Sequence, residues 1–175
     1  MNSAAPTEKT WTSPRAVIDG PEEVVAFLMR TDLVFGVDRI DVPLAEPSCV
    51  VFWLTMTPLP AAAAEGYAEE RVSIAIWSHG RIIAVPLDST GRTWHHRYGG
   101  LFKELCLFDP ADPRPLRWNW NDGLAAYVMI VYKHLLSEEY ARRNGGRWPC
   151  EDSPHGFGPH PIRSPAMQTA VQRVA

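Results

Sequence analysis

The stretch that decides the fold class is Cys49-Val50-Val51-Phe52-Trp53-Leu54-Thr55-Met56-Thr57. It is rich in β-branched and aromatic residues and bounded by Pro47 and Pro58, the signature of a strand. Just upstream, Ile40, Val42 and Leu44 point one way while Arg39, Asp41 and Pro43 point the other, which predicts a second strand. Downstream, Arg71 to Trp77 and Arg81 to Leu87 flank His79-Gly80 as a hairpin, and Pro58 to Glu70 reads as a surface loop between strands. Sequential antiparallel order is expected for these four. Toward the N-terminus, Gly20-Pro21-Glu22-Glu23 opens a helix with Pro in its first turn and two carboxylates at its positive end. Val24, Val25, Phe27 and Leu28 form its apolar face, and it should end near Thr31. Toward the C-terminus, Asp122 is expected to cap the strongest helix of the chain. Leu124, Val128, Val131 and Leu135 form its stripe, Ala125, Met129, Tyr132 and Leu136 widen it, and Asn144-Gly145-Gly146 ends it. A helix this apolar has to cover a sheet. The expected class is therefore α+β, with an N-terminal helix, a four-stranded antiparallel meander and a long covering helix.

The 175 residues suit one domain, expected over 20–160, with a flexible lead-in over 1–19 from which only Trp11 docks. Residues 161–175 read as a tail, with a short helix over Ala166 to Val174. Net charge is −3 and no basic block exceeds two adjacent residues, so neither a nucleic-acid surface nor a polybasic membrane patch is expected. No signal peptide or apolar span is evident, which points to a cytoplasmic protein. Cys49, Cys106 and Cys150 make an odd count, which argues against a secreted disulfide framework.

Between the hairpin and the long helix, Asp88 to Gly100 (DSTGRTWHHRYGG) is a loop with three glycines, leading into Leu101 to Phe108. His96 lies ten residues before Cys106, Cys106 stands in Leu105-Cys106-Leu107-Phe108, and Trp118 and Trp120 precede the helix. This order resembles the ubiquitin-conjugating enzymes, in which a His-Pro-Asn motif precedes the catalytic cysteine by the same interval. Arg97 and Tyr98 stand where Pro and Asn would. His96-Arg97-Tyr98, the Leu-Cys-Leu-Phe segment, Gly146-Arg147-Trp148-Pro149 and His155 bring the chain closer to one branch of that family. It resembles the bacterial ubiquitin-conjugating-like proteins that accompany cGAS-like nucleotidyltransferases in CBASS antiphage operons.

The resemblance implies that Cys106 carries a protein C-terminus as a thioester and passes it to an amine. The cargo it implies is the C-terminus of the nucleotidyltransferase, the acceptors are protein amines, and transfer would tune antiphage cyclic-nucleotide signalling. No cofactor is expected. The chain leaves no room for a fused activating domain, so activation is expected from a separate partner. A thiol of pKa about 8.5 suits the task, since it is both a nucleophile toward an activated acyl group and a leaving group toward an amine. Because the donor arrives activated, no general base need touch the sulfur.

His96, Tyr98 and Asp109 are the supporting candidates. His96 is read as fixing the loop, as the family's histidine does, rather than as moving a proton. Tyr98 can replace the motif's Asn only through its hydroxyl, and Asp109 or Asp112 is nearest to receive a proton from the attacking amine. Cys106 in an apolar context also reads as a packed core thiol, and Cys49, opening a strand, reads as structural. Trp118-Asn119-Trp120 reads as packing. Cys150, His155 and His160 do not have the pair-and-pair spacing of a zinc site, so no metal is expected. Two rival readings are a cysteine hydrolase of such conjugates, with a distant His155 as base, and an adaptor that keeps the fold and binds without chemistry.

Overall fold

Pro14 and Pro21 each start a helix, because proline's fixed φ suits the first turn and its missing N–H is one the helix never uses. In the computed structural model, which describes residues 11–29, 35–43, 48–87, 91–98, 102–108 and 117–149, α1 is Pro14–Asp19 and α2 is Pro21–Leu28. Ser13 caps α1 by accepting the Ala16 N–H on its hydroxyl at 3.2 Å. For residues 11–19 this corrects the flexible lead-in, while residues 1–10 lie outside the described residues. Trp11 docks as expected, and Val17 of α1 is fully buried beside Val24 and Leu28 of α2 in the common core. Helix α2 closes at Leu28, and Thr31 lies outside the described residues.

The sheet has four strands, β1 (Phe35–Asp41), β2 (Cys49–Met56), β3 (Glu70–Trp77) and β4 (Ile82–Pro86). They lie in the order β1-β2-β3-β4, each antiparallel to its neighbour. Strands β2 to β4 fall within a residue of the expected runs, and Gly80, at φ +98, makes the turn of the hairpin. Strand β1 lies earlier than the alternation of 39–44 suggests, and Val42 is 53% exposed beyond its end. The reason is a bulge. Val37 pairs with Leu54 but Arg39 with Trp53, so Asp38 is an extra residue. The core-facing Val37 and Ile40 are thus three apart rather than two, and the strand does not show as simple alternation. The stretch expected as a loop after β2 holds one short helix, α3 (Pro60–Ala64), with no buried residue.

On one face of the sheet Val50, Phe52, Leu54, Met56, Val72, Ile74, Ile76 and Ala84 form a core with the helices. The long helix α4 (Leu124–Arg143) contributes Leu124, Val128, Val131, Tyr132 and Leu135 to it. The other face holds a smaller cluster around Cys49, Trp77 and Ile83. Asp122 does not cap α4. It closes a capping box with Asn119 around the 3-10 turn Trp120–Asp122, receiving the Asn119 N–H at 2.9 Å. The residue before α4 is Gly123, at φ 81 and ψ 159, a backbone region that only glycine enters at low cost. The Leu124 N–H at the start of α4 is taken instead by the Trp11 carbonyl at 3.2 Å.

Candidate functional site

The ten-residue interval between His96 and Cys106 is a strand register. Residues 96–98 run antiparallel to 104–106: the Tyr98 N–H donates to Glu104 O at 2.9 Å, the Cys106 N–H donates to His96 O at 3.0 Å, and Arg97 bridges Leu105. His96 therefore sits directly across from Cys106. This ribbon is attached to the main sheet, since the Leu105 N–H donates to Ala84 O of β4 at 2.8 Å. The Arg97 side chain, from its Nε, also donates to the Lys103 carbonyl, a further tie between the two segments.

Helix α4 holds the ribbon from beneath. Glu138 is 0% exposed, and its two oxygens accept the N–H groups of His95 at 2.9 Å and His96 at 2.6 Å. Two charge-assisted bonds from the backbone satisfy a carboxylate that burial would otherwise penalise. One turn earlier, His134 Nε2 lies 3.1 Å from His96 O. A carbonyl only accepts, so Nε2 carries the proton. The His96 ring packs at 4.2 Å from the Trp148 ring, and the His134 ring at 5.2 Å from it. Burial pushes the Tyr127 hydroxyl far above its ordinary value, and the charge of Glu104 in the ribbon adds to that rise.

The predicted residues divide as follows. His96 is buried with its ring against Trp148 and both its backbone groups engaged in hydrogen bonds. Tyr98 donates its hydroxyl to Phe108 O at 3.2 Å, tying down the chain just past Cys106. Cys106 is buried, at 4% exposure. Asp109, Asp112, Cys150, His155 and His160 lie outside the described residues, as does Ala166 to Val174. Cys49 is buried in the second cluster of the sheet. Trp118 and Trp120 pack edge-on at 5.0 Å and donate their indole N–H groups to Gly123 O and Gly80 O, both at 2.9 Å. Among the described residues no three His, Cys, Asp or Glu side chains are grouped to hold a metal ion. No helix among them is long and apolar enough to cross a membrane.

Sequence reasoning missed His134 and Glu138. The available signal was position: Glu138 stands seven residues after Val131 and three after Leu135, in the buried stripe, where a solvated carboxylate does not belong.

No known protein family, curated protein or solved structure matches the chain. The molecule itself defines an α+β architecture with a four-stranded antiparallel sheet, a paired His–Cys ribbon on its β4 side and one long helix beneath.

Proposed function

We propose that the chain is a ubiquitin-conjugating-like acyl transferase and that its sheet, ribbon and covering helix are that family's fold. The observation that carries the reading is the cross-strand pairing of His96 with Cys106 between a four-strand meander and a long helix. In this reading the Cys106 sulfur, as thiolate, attacks the activated carbonyl of a protein C-terminus. A carbon–sulfur bond forms and the activating group leaves with its bonding electrons. An acceptor amine then attacks the thioester, a carbon–nitrogen bond forms, the amine loses a proton and the Cys106 thiolate departs. The cargo, following the sequence resemblance, is the C-terminus of a cGAS-like nucleotidyltransferase, activated by a separate enzyme, and the setting is antiphage signalling in the cytoplasm. The test is incubation with a cGAS-like nucleotidyltransferase, an activating enzyme and ATP. A covalent adduct that thiol or hydroxylamine cleaves, and that Cys106→Ala abolishes, is the expected result. No such adduct with the wild-type chain overturns the proposal.

The burial of Cys106 favours a second reading, an adaptor that uses the same fold to bind a partner without chemistry. Phage protection unchanged by Cys106→Ala would select it.

A further inference from the structure

The His96 peptide is held from both sides by one helix. Its N–H goes to Glu138 at 2.6 Å, and its carbonyl receives His134 Nε2–H at 3.1 Å together with the Cys106 N–H at 3.0 Å. A carbonyl has two lone pairs, so these two donors fill it. His134 and Glu138 are four residues apart, one turn of α4, and their side chains therefore rise together on one face. Neither bond touches the Cys106 side chain. Both act on the strand against which Cys106 is paired.

We infer that His134 and Glu138 are positioning residues that clamp the His96 peptide and thereby control access to the Cys106 sulfur. As part of a catalytic device the clamp rests on the acyl-transfer reading; as a control on the thiol it is measurable without any acyl donor. With the clamp closed, Cys106 is fixed at the end of a paired ribbon beside the core. Losing the His134 bond leaves one lone pair of the His96 carbonyl unfilled and lets residues 96–98 move relative to 104–106, baring the sulfur.

The experiment is iodoacetamide labelling of the whole chain, with the rate at each cysteine read by mass spectrometry. Cys49 is 3% exposed within the second cluster of the sheet and reports loosening of the whole domain. His134→Phe keeps an aromatic ring beside Trp148 but removes the donor, whereas His134→Gln supplies an amide N–H at similar reach. Loss of one buried hydrogen bond should raise the Cys106 rate about tenfold in His134→Phe and leave Cys49 unchanged. His134→Gln should return Cys106 to within about twofold of wild type. Equal Cys106 rates in all three proteins overturn the inference, and so does a rise that His134→Gln fails to reverse, which would assign the effect to packing. If His134→Phe raises Cys49 in step, Glu138→Gln decides. It keeps the volume and one acceptor oxygen, and a rise at Cys106 alone sustains the clamp, while any other pattern overturns it. A wild-type chain that forms no thioester sinks the acyl-transfer reading and leaves this labelling result standing.

Discussion

Glu138 accepts the backbone N–H of His96 at 2.6 Å and so joins the C-terminal half of α4 to a segment 42 residues away. The carboxylate is wholly buried, and its second oxygen takes the His95 N–H at 2.9 Å. Most buried polar groups of a fold answer to their own neighbourhood, whereas this one fastens the ribbon to the helix beneath it.

Glu138→Ala strands two backbone donors in the interior. The expected cost is about 3 kcal/mol, which lowers the melting temperature by roughly 6–12 °C in a domain of this size. Thermal and urea unfolding read it, and a change below about 0.5 kcal/mol would show that water replaces the carboxylate freely.

Gly123, at φ 81 and ψ 159, turns the chain from the Trp120–Asp122 turn into α4. A side chain there is strained whatever the space around it, so Gly123→Ala should lose about 2 kcal/mol. Gly36, where an added Cβ meets nothing within 4 Å, is the control, and Gly36→Ala should stay within about 0.5 kcal/mol of wild type. Calorimetry on the two variants separates strain at one glycine from a general intolerance of alanine.

How much of this could be read from the sequence differs by element. Strands β2, β3 and β4 were legible because they are β-branched and aromatic runs bounded by prolines or by the His79-Gly80 turn, and their pairing runs without a register shift. Strand β1 was displaced by the single extra residue at Asp38, which shifts the phase of everything before it. Helix α1 carries an ordinary start in Ser13-Pro14, but with six residues and one buried side chain, Val17, it gives no periodicity to detect. At the site, the interval from His96 to Cys106 was legible and turned out to be a pairing register. Glu138 was not, because a carboxylate in an apolar stripe makes sense only once its partners, two peptide N–H groups from a distant loop, are in place.

Trp11 is 3% exposed and joins α1 and α2 to the core, while its carbonyl takes the first N–H of α4. Trp11→Ala should therefore cost about 3 kcal/mol, the low end for a fully buried tryptophan. A loss under about 1 kcal/mol in chemical denaturation would return this residue to a dispensable leader.

Acid should expose a different contact. Burial pushes the Glu139 carboxyl up, but hydrogen bonds from Arg143 and Arg142, with their charges, outweigh it, and its pKa lies below the usual carboxylate value. A carboxyl whose folded pKa is depressed stabilises the fold above its unfolded value, near 4.5, and that contribution drains away as pH falls through the folded pKa. Glu139→Gln should accordingly be less stable than wild type at neutral pH and lose less on acidification. Parallel stability curves for the two proteins between about pH 7 and pH 3 would contradict this.

The hydrogen bond from Leu105 to the Ala84 carbonyl has a consequence beyond geometry. Strand β4 ends the sheet, and the ribbon that carries Cys106 is what occupies its outer rim. By taking that place the ribbon covers part of a backbone edge that would otherwise be a ready template for another chain, so a change that weakens the Leu105 to Ala84 bond should promote association between copies.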